Sequence, residues 1–108
     1  MLKDSEGRAR YLLDLNGVKL EDGAEVRDSA FLMKVFEMRE EIDDAVGSKD
    51  VKSLRSCLKV VDEEMAGICD ALTKNFAEKE LEAAYDNTIR LVYFKRMHTE
   101  IAQHMPAN

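Results

Sequence analysis

Few residues in this chain are equipped for covalent or metal chemistry, and their spacing argues against it. Cys57 and Cys69 stand twelve residues apart on what reads as one helix, with no histidine or second cysteine beside either at metal-ligand spacing. At about 1.5 Å per residue the separation is roughly 18 Å, far beyond disulfide reach. Both therefore read as free, half-buried or buried thiols, a usage that fits a reducing compartment. His98 and His104 are six apart and do not share a helix face. A carboxylate-bridged di-iron bundle needs Glu-x-x-His on two helices, and this chain has none. The runs Glu40-Glu41, Asp43-Asp44 and Asp62-Glu63-Glu64 read as solvated faces. Phosphate-loop, dinucleotide, nucleophile-elbow and zinc-protease motifs are all absent. The sequence thus predicts no catalytic residues, no metal and no cofactor, and directs attention to binding.

The segment FLMKVFEMREEID, residues 31–43, carries the strongest signal for binding. At about 100° per residue, Phe31, Val35, Met38, Ile42 and Ala45 fall in one narrow sector that reads as the core side. Leu32, Met33 and Phe36 point the opposite way, with Glu37, Glu40 and Asp43 beside or among them. Two arrangements satisfy this wheel. In one, the second apolar set lies under the N-terminal segment or another element of the same domain. In the other, it is an exposed cluster ringed by carboxylates, which is the pattern of a docking surface.

The elements that must position this helix are legible in outline. A chain of 108 residues supports one core and not two. Charged residues make up 35%, Pro occurs once and Gly five times, a composition that favours an all-α protein. The formal charge of −6 repels a phosphate backbone, so nucleic acid is not an expected partner. No apolar run approaches the roughly 18 residues that span a bilayer, and MLKDSEGRAR holds no apolar signal core.

A short helix is expected over 8–15, ended by Asn16-Gly17, followed by a connector over 18–27. Asp28 or Ser29 caps the two-faced helix, which runs to about Val46 and is broken by Gly47, with Ser48 capping the next. From Val51, the apolar positions Leu54, Leu58, Val61, Met65, Ile68 and Leu72 alternate steps of three and four, the seam of a long helix packed against near-antiparallel neighbours. Asn75 and Glu78 are spaced as a capping box that starts a last helix over 78–104. Its core seam is Leu81, Ala84, Thr88 and Leu91, continued by Phe94 and Ile101. A second row, Tyr85, Ile89, Tyr93 and Met97, runs along one flank, with Tyr93 and Met97 furthest from the seam. The expected fold is an all-α, antiparallel three-helix bundle with a short N-terminal helical segment and linker.

Arg39 with Glu41, Ile42 and Asp43 has a superficial likeness to the first helix of small chorismate mutases. Such a site needs converging Arg and Lys side chains around a dicarboxylate, and the local excess of acid opposes it. A far more extensive likeness joins two segments, RARYLLDLNGVKL (8–20) and DSAFLMKVFEMREEID (28–43). Together they resemble the HscB family of J-type co-chaperones for iron-sulfur cluster assembly. The likeness begins at the end of that family's J-domain, crosses its linker over residues 1–27 and covers its C-terminal three-helix domain over 28–108. Leu91-Val92-Tyr93-Phe94 sits where the family has an aromatic in its last helix.

This resemblance implies a partner: an IscU-type scaffold protein on which clusters are built. It also implies the binding positions, Leu32, Met33, Phe36 and Tyr93, with Glu37 and Glu40 as the acidic positions beside them. Phe36 stands where many relatives carry a smaller aliphatic. The family's His-Pro-Asp motif, through which a J-domain stimulates a DnaK-class chaperone, does not occur in this sequence, whose only proline is Pro106. The cysteine-rich zinc module of some eukaryotic relatives is also not present. As written, the chain is expected to hold the scaffold without activating the chaperone, in a mitochondrial matrix or a bacterial cytoplasm. A structural module that self-associates through the seam from Val51 to Leu72 is the alternative from a different class.

Overall fold

The computed structural model describes residues 5–19 and 28–105. They form four helices, α1 (Ser5–Leu15), α2 (Ser29–Ser48), α3 (Val51–Ala77) and α4 (Leu81–His104), and no strand is found among them. The connector expected over 18–27 falls mostly, from residue 20 onward, outside the described residues, as does Pro106. α1 begins three residues earlier than expected and ends at Asn16-Gly17, where Gly17 takes φ +78°, open to glycine without steric cost.

Cross-helix contacts fix the directions. α3 and α4 pair in reverse order, with Asn75 bonded to Asn87 and Asp62 beside His98, so they run antiparallel. α2 meets α3 in the same sense, through Lys34 and Glu64 at its start, while Ala45 near its end and Ser53 of α3 line one groove. α2 and α4 run parallel, since Asp28, Phe31 and Arg39 meet Arg90, Tyr93 and Glu100 in the same order. α1 is more than an appendage. Ala9 and Leu13 are buried in the same continuous core as Val35, Ile42, Leu54, Val61, Leu91 and Phe94.

Every step of the α3 seam is buried except Val51 and Leu58, which are half-buried. α4 buries residues of both its expected rows, Ile89 and Met97 of the second among them. It touches all three other helices. Consequently Met97, placed furthest from the seam by the sequence, is fully buried, and Tyr93 is half-buried. Cys57 is buried and Cys69 half-buried, both on α3 and both free.

The helix boundaries correct three sequence expectations. Gly47 does not break α2, which continues through Ser48 to a left-handed Lys49 at φ 57°. Ser48 does not cap α3; its hydroxyl donates back to the Asp44 carbonyl, and Asp50 is the cap. The Asp50 carboxylate accepts from the Ser53 hydroxyl at 2.8 Å and from the Ser53 N–H at 3.2 Å, which holds its pKa below the ordinary carboxylate value. Asn75 does not start α4 either. It lies inside α3, and α4 begins after Glu80, whose side chain makes no cap bond. The turn is closed instead by Lys79 at φ 56° and by the Glu80 N–H donating to the Asn75 carbonyl at 2.7 Å. A matching bond runs from the Asp50 N–H to the Ala45 carbonyl at 2.9 Å, so both interhelical turns are Schellman-type closures with lysine where glycine is usual.

Left-handed backbone costs a non-glycine residue roughly 1 kcal/mol. Lys79→Gly is therefore expected to raise the unfolding free energy by up to about 1 kcal/mol in urea denaturation, glycine's extra freedom in the unfolded chain offsetting part of the gain. A lower stability would show that Lys79 makes a compensating contact. Phenylalanine truncations separate core from surface in the same assay. Phe94 is fully buried and Phe36 is 61% exposed. Phe94→Ala should cost about 3–5 kcal/mol and Phe36→Ala no more than about 0.5 kcal/mol.

Candidate functional site: an apolar patch on α2

α2 buries Val35, Ile42 and Ala45, with Phe31, Met38 and Val46 partly buried against the core. This is the sector expected to face inward. Its other apolar set is on the surface: Leu32 is 38% exposed, Met33 63% and Phe36 61%. Glu37, Glu40 and Asp43 are exposed around them. These side chains are not covered by α1, which packs on α4 and α3.

The side chains that frame the patch were not apparent from the sequence. On α2, Lys34 Nζ lies 2.6 Å from Glu64 of α3, and Arg39 lies 3.4 Å from Glu100 of α4. At helical spacing, Arg39 and Lys34 stand at the two margins of the outward arc, with Leu32, Phe36, Glu40, Met33 and Glu37 between them in angular order. Both basic side chains of this segment are thus engaged by carboxylates of neighbouring helices. The carboxylates of Glu37 and Glu40 lie in the arc itself. The surface is an apolar cluster with a net acidic border, although each framing pair is itself too solvated to add much stability. No local signal reveals these partners, because they lie 30 and 61 residues away.

Tyr93 of α4 is half-buried and meets the first turn of α2 at Phe31. The Phe31 ring meets Tyr93 edge-on at 5.8 Å and Phe94 edge-on at 5.7 Å. Such contacts contribute about 0.5–1.5 kcal/mol each beyond buried area. The Arg90 guanidinium lies over the Phe31 ring at 5.5 Å. The structure therefore brings Tyr93 next to Phe31, one residue before Leu32, and the aromatic contact links the two helices that carry the expected binding positions.

The remaining chemistry is sparse. An open groove of about 790 Å³ lies between the C-terminal half of α2 and the start of α3, lined by Glu41, Asp44, Ser48, Asp50, Ser53 and Cys57 among others. Burial, followed by the nearby Glu41 charge, pushes the Cys57 thiol above its ordinary pKa, so at neutral pH it is protonated and a weak nucleophile. Among the described residues no three His, Cys, Asp or Glu side chains are grouped to hold a metal ion. His98 instead lies 3.3 Å from Asp62 across the α3–α4 face. No helix of the described residues is long and apolar enough to cross a membrane.

Comparison with known proteins adds a family to this geometry. A family model described as the HSCB C-terminal oligomerisation domain matches residues 27–102. A curated relative from Arabidopsis thaliana, described as an iron-sulfur cluster co-chaperone protein HscB homolog, is 30% identical over 94 residues. The alignment takes in 87% of this chain but only 36% of that relative, so the chain spans about a third of its length. Since the family match covers α2, α3 and nearly all of α4, the chain belongs to the HscB family and contains its C-terminal domain.

Proposed function

We propose that this chain is the scaffold-docking part of a co-chaperone for iron-sulfur cluster assembly, and that its function is binding and not catalysis. Leu32, Met33, Phe36 and Tyr93 capture an IscU-type scaffold protein, and Glu37 and Glu40 select a basic partner surface and set its orientation. The observation that carries this reading is the exposure of three large apolar side chains on the outward face of α2 in a domain of this family. An apolar surface of that kind costs solubility and is retained where a partner covers it.

Burying each such side chain contributes roughly 1.5–3 kcal/mol before association costs. A few anchors of that size suit micromolar, reversible binding, about −8 kcal/mol, appropriate for a protein that hands its partner on. Presentation of the scaffold to a DnaK-class chaperone requires a J-domain with His-Pro-Asp, a motif that this sequence lacks. The role belongs in a mitochondrial matrix, or in a bacterial cytoplasm as the alternative. The match to an oligomerisation domain favours a second reading, self-association, which sedimentation at several concentrations separates: a monomer supports the adaptor.

Calorimetric titration with an IscU-type scaffold is expected to show saturable one-to-one binding. Leu32→Ala with Phe36→Ala should weaken it at least tenfold while helicity and melting temperature change little. Unfolding of the double variant would place those residues in the core and end the docking reading; equal affinity would move the site elsewhere.

A further inference from the structure

The first turn of α2 is held by a connected row of polar groups that begins at the far end of the α3–α4 hairpin. Glu80, at the start of α4, accepts from the Asn75 side-chain amide at 3.1 Å. Asn75, buried near the end of α3, accepts in turn from the Asn87 amide at 2.8 Å. Asn87 accepts from Arg90 Nη1 at 3.0 Å. The other guanidinium nitrogen, Nη2, lies 3.6 Å from Asp28 Oδ2. Asp28 is the α2 cap, and its other oxygen, Oδ1, accepts from the N–H groups of Ala30 and Phe31 at 3.0 and 3.3 Å.

Arg90 is thus fixed at three points. Asn87 orients its plane, the Asp28 carboxylate draws one edge, and its face covers the Phe31 ring, which itself leans on Tyr93. Only a quarter of its side chain is exposed. A planar, forked cation suits this arrangement and an ammonium does not, because lysine cannot bond Asn87 and Asp28 with two separate nitrogens while lying flat on a ring. The turn that it grips holds Asp28, Phe31 and Leu32, and the Leu32 N–H closes that turn on the Asp28 carbonyl at 3.1 Å.

We infer that Arg90 is a positioning residue for the docking patch: bonded to Asn87, paired with Asp28 and laid over the Phe31 ring, it acts by locking the first turn of α2 against α4 so that Leu32 and Tyr93 are presented together. The inference rests on the docking reading for its effect on affinity. Its conformational part stands alone.

The test combines Arg90→Met, Arg90→Lys and Asp28→Asn, the last keeping a good helix cap while removing its charge. Amide exchange in the free chain reads the turn, and titration with an IscU-type scaffold reads the patch. For Arg90→Met the expected result is at least fivefold faster exchange at Leu32 with the slowest core amides unchanged. Scaffold affinity should fall about three- to tenfold, Arg90→Lys should restore little of it, and Asp28→Asn should reproduce part of the loss. In a Leu32→Ala background the further loss from Arg90→Met should shrink to less than twofold, because the side chain presented by the locked turn of α2 is gone. Unchanged exchange at Leu32 overturns the inference, and so does an affinity loss that stays fully additive with Leu32→Ala. If the unaltered chain binds no scaffold, the docking reading fails and the patch role of Arg90 fails with it, while the exchange arm still decides whether Arg90 locks the turn.

Discussion

The edge-on contact of Phe31 with Tyr93 and Phe94 fixes the rotation of α2 about its own axis, and the character of the surface follows from that rotation. α2 carries apolar side chains on two sectors, but only in its first two turns do both offer large ones, so its rotation is decided there. A turn of about 100° would exchange Phe31 for Leu32 at the core. Three aromatic rings in contact favour Phe31 by more than an aliphatic replacement could offer. The pairs Lys34–Glu64 and Arg39–Glu100 act on the two flanks in the same sense, since either would be broken by the alternative rotation. Individually they are weak, and they act in the same direction as the larger apolar burial of Val35, Ile42 and Ala45 on the inward sector.

Much of this was written in local pattern. The alternation of threes and fours in α3, the cap at Asp28 and the outward placement of Leu32, Met33 and Phe36 follow from periodicity and side-chain chemistry, and the coordinates place them accordingly. The ends of α2 and α3 were not legible, because the usual left-handed residues, Gly47 and Asn75, lie inside helices while Lys49 and Lys79 take the strained positions. Propensity marks where a turn is cheapest, and tertiary packing decided where it is. Met97 stood with Tyr93 at the far edge of the second row on α4, and its full burial accompanies the packing of α1 on that helix, which the periodicity of α4 alone does not register. The partners of Lys34, Arg39 and Arg90 are tertiary facts with no local trace, whereas the binding role of the patch residues remains the proposal made above.

Charge is distributed with the same economy. The chain is acidic overall, and the basic groups nearest the patch, Lys34, Arg39 and Arg90, all face carboxylates on other helices. Glu37 and Glu40 therefore set the local potential around the exposed apolar side chains. Buried polar groups are satisfied in parallel: Thr88 donates to the Ala84 carbonyl at 2.7 Å, and no buried side-chain nitrogen or oxygen among the described residues lacks a partner. The interior is thus rigidly specified on the side that the partner would not touch.

Leu13 is fully buried, and with Ala9 it brings α1 into the core that α2, α3 and α4 share. The family match begins at residue 27, so the buried core extends beyond the matched segment into α1. The hairpin of α3 and α4 makes its contacts between sequence neighbours and can form early, but α1 packs on α4, the helix furthest from it in sequence, a closure of high contact order. α1 is mechanically coupled through Leu13 to the bundle that carries the patch, so a load placed on this helix is borne by the shared core itself.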